Sequence, residues 1–465
     1  MGTTFHAGFA PASVAFEIFL LFPIGHVLLA ESAHIRHFGP MGSRLILDAP
    51  QVRPIRGGYT SRTNLWMETA SGSYSLVGGM GFHVSGPDRI DSGVAAHFPV
   101  ALVVAMRLGL PLRVEGELPL SWKANFRRFQ EIHRTVFKGF SEVEVDATWQ
   151  QHRAPDASEN APVGGFFSAG VDAFHVAARP EVRVLIHVDG FDSTVREAAS
   201  KPVIADVVGK AAAELGLPLW RVSTDARCLL DGLVWHGMAG TTILAGCARL
   251  FAGTLGSVVL GASDVWLTQA VTRSDHHLIT RCFGAEDLGF TIDGLNRRRV
   301  DKIGALGGLR PFREHLRVCW TPTTKDANCG KCEKCLRTMA VVHGFGWEND
   351  FPAFPRLERK ALEGLAGKIS PQSLPFWEEV AGVITERRPD SPLLPVVRGL
   401  LDQARAEEWA RRLWKLGKGA ADAAAWPKLA RRILKPVLES QAGTEEGRAW
   451  VRKKLAMADR NMKTS

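Results

Sequence analysis

At 465 residues the chain exceeds the roughly 250–300 residues at which one hydrophobic core stops growing, so two or three folding units are expected. Its 46% hydrophobic and 23% charged residues are those of a globular protein, which sets aside the disordered, collagen-like and membrane-embedded classes. The formal charge of +9 is concentrated at one end, where residues 401–465 hold 15 Lys/Arg against 8 Asp/Glu; such a run is either a solvated helix face or a patch for nucleic acid or an acidic partner.

In chain order, the first apolar stretch, Phe16–Ala30 (FEIFLLFPIGHVLLA), carries Glu17, Pro23 and His26 and is shorter than the roughly 20 residues a spanning helix needs. It also lacks the basic flank of a secretory signal, so it reads as a buried or poorly ordered segment, with a start near Met41 as the alternative. The region 1–150 reads as mixed α+β, with short strands at Tyr74–Leu76, Leu112–Glu117 and Val143–Asp146 and an amphipathic helix at Ala96–Leu108. The hydrophilic run Gln150–Asn160 has the proline, serine and charge of a linker and marks a domain boundary.

Beyond it the pattern alternates. Gly164–Ser168, Val182–Asp189, Leu219–Ser223 and Ser257–Gly261 read as buried strands, with helices at Val203–Leu215 and Ala239–Phe251. Alternation of this kind predicts an α/β domain over 160–346 with a doubly wound parallel sheet, whose ligands bind at the carboxyl ends of the strands. From 347 to 465 the chain turns helical and basic, with apolar stripes at Trp409, Leu413, Leu416 and at Leu429, Ile433, Val437. Pro389, Pro392 and Pro395 interrupt that region.

Gly164-Gly-Phe-Phe-Ser168-Ala-Gly170-Val-Asp172-Ala173 sets a buried strand before a small-residue turn and a helix after it. Converging backbone N–H groups make such a turn an anion site, the competing reading being close packing alone. Two other strands end in the same manner, at Asp189-Gly-Phe-Asp192 and at Gly261-Ala-Ser263-Asp264.

The seven cysteines, in a chain without an export signal, suit a reducing cytoplasm better than a disulfide framework. Cys319, Cys329, Cys332 and Cys335 stand in a C-x9-C-x2-C-x2-C spacing that brings four thiolates to one Zn2+, with Gly330 easing the turn. An iron–sulfur cluster is the rival, although the further Cys-Pro of ferredoxin runs is replaced here by Leu336-Arg-Thr. Cys228, Cys247 and Cys282 read as small core residues.

The loop resembles the SGGxDS signature of the pyrophosphate-loop ATP pyrophosphatases: Ser168, Gly170 and Asp172 agree, while Ala169 stands for a glycine and Ala173 for the final serine. With the cysteine spacing, the region from about 164 to 342 is similar to the 7-cyano-7-deazaguanine synthase family; Arg298 and Lys302 resemble its basic pair before the knuckle. The resemblance implies an ATP-dependent ligase that adenylates a carboxyl or carbonyl group of a small-molecule substrate for attack by a nitrogen nucleophile. It implies ATP over Ser168, Ala169, Gly170, Val171, Asp172 and Ala173, further contacts at Asp189, Gly261 and Ser263, and Asp172 and Asp264 as catalytic carboxylates with Mg2+. Asp192 is a further candidate beside Asp189, and Zn2+ in the cysteine knuckle is structural. Two alternatives stand beside the ligase: a nucleotide-binding regulatory module with a weakened loop, and a tRNA-modifying enzyme gripping RNA through the basic tail.

His236 reads either as an acid or base at the sheet edge or as a structural histidine. His276 and His277, as neighbours, are expected to point apart, and Arg273, Arg281 and Arg310 are candidate phosphate contacts.

Overall fold

All eleven strands of the described residues fall within the first 296 positions. In the computed structural model, which describes residues 42–417 apart from 153–160, 235, 266–272, 320 and 324, they are β1 (Arg44–Leu47), β2 (Gln51–Ile55), β3 (Gly58–Glu68), β4 (Tyr74–Ser85), β5 (Leu112–Pro119), β6 (Val145–Gln150), β7 (Val163–Phe166), β8 (Val182–Asp189), β9 (Leu219–Thr224), β10 (Ser257–Gly261) and β11 (Gly289–Asp293). The helices between them are α1 (Phe98–Leu108), α2 (Leu120–Val136), α3 (Val171–Ala177), α4 (Val195–Ala199), α5 (Pro202–Leu215), α6 (Ala226–Leu230), α7 (His236–Arg249) and α8 (His277–Thr280). The apolar stretch Phe16–Ala30, the Met41 start and the stripe Leu429, Ile433, Val437 lie outside the described residues, as does most of the basic tail.

All eleven strands join one mixed, mostly parallel sheet in the order β11-β10-β7-β8-β9-β4-β3-β1-β5-β6, with β2 paired to β3. The five strands β11-β10-β7-β8-β9 are mutually parallel. Counted from β7, their spatial order is 3-2-1-4-5, the order that reverses direction between its first and fourth strands. Successive side chains of a strand face opposite sides of a sheet. A Cβ on Gly165 would meet Val176 of α3 at 2.8 Å, whereas one on Gly164 would meet Leu255, beyond α7, at 2.6 Å. Helix α3 therefore covers one face of β7 and the turn after α7 reaches the other, and both glycines are needed for that approach.

The sheet continues past the expected boundary at Gln150–Asn160, because β4 pairs antiparallel with β9, Phe82 facing Thr224. One apolar core runs from Leu45, Phe82 and Phe98 to Ile186, Ile243 and Phe290. The compact units divide after Asn296 instead, as Met1–Asn296 and Arg297–Ser465.

A carboxylate fixes the start of α2. Glu286 accepts from the backbone N–H groups of Leu120 (2.9 Å), Ser121 (3.2 Å) and His152 (3.2 Å), and from the Ser121 hydroxyl. Burial acts to raise its pKa, but donation by Ser121 and the N–H groups outweighs it and lowers the value to about 2 from 4.5. A depressed carboxylate stabilises the fold fully above its unfolded pKa and loses that contribution as pH falls through the folded one. Solvent screening at this partly exposed site reduces the gain to about 1–2 kcal/mol. Glu286→Gln is expected to lose that amount near neutral pH, and its urea midpoint should converge with the parent's between 4.5 and about 2. A constant gap across that range would show that the group does not act through its charge.

The second unit is helical in its described part: α9 (Arg299–Leu306), α10 (Arg310–His315), α11 (Glu333–Phe345), α12 (Arg359–Glu363), α13 (Leu374–Arg387) and α14 (Leu394–Gly417). Pro389 and Pro392 lie between α13 and α14, Pro395 in the first turn of α14. No helix among the described residues is long and apolar enough to cross a membrane.

Candidate functional site

At the point where the strand order reverses, the chain leaves β7 through Phe167-Ser168-Ala169-Gly170 and enters α3. Ala169 has φ 57°, the one positive φ at a non-glycine among the described residues, and it is fully buried. Left-handed backbone costs an alanine about 1–2 kcal/mol, so the turn is held against its own preference by its neighbours. Phe167 N–H donates to the Ile186 carbonyl (2.8 Å), and the Phe167 carbonyl lies 2.9 Å from Nδ1 of buried His187. On the far side Val171 is buried and Phe174 N–H donates to the Gly170 carbonyl (2.9 Å). Strain maintained in this way clusters at binding and catalytic sites.

The strand ends beside β7 complete the rim. Gly261, at the end of β10, touches the start of α3 so closely that a Cβ there would stand 2.5 Å from the Asp172 carbonyl oxygen. Just beyond, the Ser263 hydroxyl donates to Asp275 (3.2 Å), and Asp275 takes two bonds from Arg273, at 3.0 and 2.7 Å. Burial opposes the Arg273 charge, but Asp275, Asp264 and Asp172 outweigh it and raise the guanidinium pKa above its ordinary value. The guanidinium is thus bonded to Asp275 and lies in the field of Asp264 and Asp172.

On the β8 side, His187 Nε2 lies 3.3 Å from Asp189 Oδ1, so a single ring spans from the loop carbonyl to the strand-end carboxylate. Asp192 is exposed, and its carbonyl accepts from Arg227 (3.0 Å). The structure therefore gathers Ser168, Ala169, Gly170, Val171, Asp172, Ala173, Asp189, Gly261, Ser263 and Asp264 along one edge of the sheet. His187 and Asp275 belong to the same edge and carry no motif; an alternating run such as Ile186-His187-Val188-Asp189 does not distinguish a positioning histidine from a core one.

Other candidates fall elsewhere. His276 and His277 do not diverge as expected: their rings lie 4.3 Å apart, because His276 caps α8, its Nδ1 accepting from Leu278 N–H (3.2 Å). Arg281 is exposed, Arg310 pairs with Glu314 (2.7 Å) and Arg298 with Asp301 (2.8 Å), while Lys302 is buried. Cys247 and Cys282 are core residues, but Cys228 is exposed, contrary to expectation, since it faces out from the short helix α6.

In the second unit, the sulfurs of Cys319, Cys329, Cys332 and Cys335 all lie within 4.8 Å of one another, those of Cys319 and Cys332 3.8 Å apart. A tetrahedron with metal–sulfur bonds near 2.3 Å has sulfur–sulfur edges of about 3.8 Å. Backbone donors aim at the sulfurs: Thr321 N–H (3.2 Å) at Cys319, Lys331 N–H (3.4 Å) and Cys332 N–H (3.3 Å) at Cys329. Gly330, at φ 67°, makes the turn that presents them, with Pro355 packed where a Cβ would go. Contact with Cys332 and burial push the Cys335 thiol far up; four sulfurs this close lose their protons together only when a cation replaces them. The cluster is thus suited to a metal such as zinc. Glu333, next to it, anchors α11 by accepting from the Trp377 indole (2.8 Å) and pairing with Arg337 (3.1 Å). Compared with family models, curated proteins and solved structures, the chain matches none of them.

Proposed function

We propose that the first unit binds ATP over Ser168–Ala173 and adenylates a carboxyl group of a small molecule, as the pyrophosphate-loop class does. The observation that carries this reading is the left-handed Ala169 at the reversal point of the sheet: an alanine held in a glycine's conformation there is the kind of maintained strain found at binding sites, and it supports a turn that presents backbone amides to an anion. Ser168, Gly170 and Val171 would face the departing phosphates, Asp189, Gly261 and Ser263 the nucleoside, and Asp172 and Asp264 would hold Mg2+. Zn2+ would sit in the four cysteines as a structural ion.

In the first step a carboxylate oxygen of the substrate attacks the α-phosphorus and the bond to the β-phosphate breaks, releasing pyrophosphate. In the second a nitrogen nucleophile adds to the acyl carbon and AMP leaves. The loop supplies fixed donors and Arg273 a fixed cation where charge develops, so no reorganisation is needed during the step.

A panel of carboxylic acids with Mg·ATP and hydroxylamine tests this directly, by pyrophosphate release and hydroxamate formation. The parent chain is expected to give both with at least one acid, and Asp172→Asn to lose about 100-fold or more. Absence of nucleotide binding, or pyrophosphate release indifferent to every acid, would overturn the reading. Ala173 supports a second one, since the chain lacks the hydroxyl that the signature supplies at this buried position. If Ala173→Ser raises turnover about tenfold, the parent is a slow enzyme; if ATP binds tightly and nothing turns over in either chain, the loop serves a nucleotide-binding module.

A further inference from the structure

His236, the first residue of α7, lies along the same sheet edge, and among the described residues neither of its ring nitrogens has a hydrogen-bond partner. That sets it apart from His97, His133 and His187, whose rings all contact Ser61, Met238 and Phe167 or Asp189 at 2.9–3.3 Å. The ring is nonetheless fixed. Phe191, from the β8 loop, packs edge-on at 4.9 Å, and one turn along α7 Gly240 leaves space for it, since a Cβ there would lie 2.5 Å from Cε1 and 2.8 Å from Nε2. The next residue, Gly237, accepts from Ser274 N–H (2.8 Å), which ties the start of α7 to the segment that carries Arg273 and Asp275.

We propose that His236 is the proton acceptor for the nitrogen nucleophile in the second step, an inference that rests on the adenylating reading. A positioned imidazole with both nitrogens uncommitted can take a proton from an attacking amine as the N–C bond forms and the C–O bond to AMP breaks; the proton ends on His236 and the electron pair on the AMP phosphate. The charges around it suit that task. Burial lowers its pKa, Arg227 and Arg273 lower it further, and Asp192 and Asp231 act in the opposite sense, so the ring is neutral and able to accept near neutral pH.

The choice of nucleophile isolates this step. Hydroxylamine is an unprotonated nucleophile near neutral pH and attacks without help, whereas ammonium must first lose a proton. With the acid that responds in the hydroxamate panel, His236→Gln is expected to keep hydroxamate formation within about threefold and to lose about 100-fold with ammonium chloride. Equal loss with both nucleophiles, or none with ammonium, overturns the assignment while leaving the adenylation intact; a panel silent in the parent chain removes both. A measurement on the unaltered protein guards against misfolding of the variant. Diethyl pyrocarbonate should label His236 faster than buried His97 and His133, and saturating Mg·ATP should slow that labelling at least about tenfold; labelling unaffected by a nucleotide that demonstrably binds counts against the proposal.

Discussion

Cys335→Ser should strip the second unit of its metal and of most of its resistance to unfolding. The parent chain is expected to purify with about one zinc per chain by elemental analysis, and the variant with almost none, because Cys335, buried like Cys319, belongs to a set whose spacing leaves no substitute ligand. Zinc coordination contributes about 10–16 kcal/mol to the folding of small zinc-dependent peptides. Here α11 also has an apolar anchorage, through Leu336, Met339 and Ala340, with Trp377, Val380 and Ile384 buried on α13. The loss should therefore be smaller, about 3–5 kcal/mol, concentrated in the segment 316–335 and seen as early hydrogen exchange there. Stoichiometric iron in place of zinc would identify an iron–sulfur centre, and a metal-free parent of undiminished stability would show that the four sulfurs need no ion.

Chelation would separate the structural role proposed for zinc from the chemistry proposed at the sheet edge. Every residue proposed to touch ATP belongs to the first unit, Met1–Asn296, and all four cysteines to the second. A chelator that removes the zinc should lower the stability of the helical unit before it alters the affinity of the loop for nucleotide.

How much of this was legible in the sequence depends on where each strand buries its side chains. A strand covered on both faces reads as a continuous apolar run, and β8 and β10 appear where Val182–Asp189 and Ser257–Gly261 predict them. The antiparallel strands were harder. The inward positions of β3 include Ser61 and Thr63 beside Leu65; the hydroxyls are satisfied by His97 (2.9 Å) and the Asp48 carbonyl (2.6 Å), so a polar residue stands where alternation calls for an apolar one. The 12-residue β4 was visible only at its first residues, Tyr74–Leu76, because glycines at 78, 79 and 81 dilute the rest. At the site, the loop was legible because small residues must follow a strand that turns sharply into a helix. The network of Arg273 with Asp275 was not, since it is assembled from a segment with no periodicity, and no spacing rule connects it to Asp172.

The join between the two halves of the sheet leads to the second large effect. Arg249, at the end of α7, is 1% exposed and reaches Asp287, 4% exposed, through two bonds of 2.6 and 2.9 Å. Its guanidinium stacks over Trp122 of α2 at 5.2 Å and lies 3.7 Å from Asp91. Residues from the N-terminal half and from the parallel half thus meet on one buried cation. Removing one partner of a buried pair leaves the other charge desolvated without compensation, which costs about 3–5 kcal/mol, whereas exchanging both for apolar residues of similar volume is often close to neutral. Asp287→Ala is therefore expected to lower the stability of the first unit by about 3–5 kcal/mol in urea, and Arg249→Met combined with Asp287→Leu to recover most of it. Recovery would identify the pair as a device that specifies how the halves join more than one that stabilises them. If the double variant is as unstable as the single one, the contribution lies in the remaining contacts, Trp122 and Asp91. Helix α7 would then hold His236 at the sheet edge through the stack on α2 at its other end.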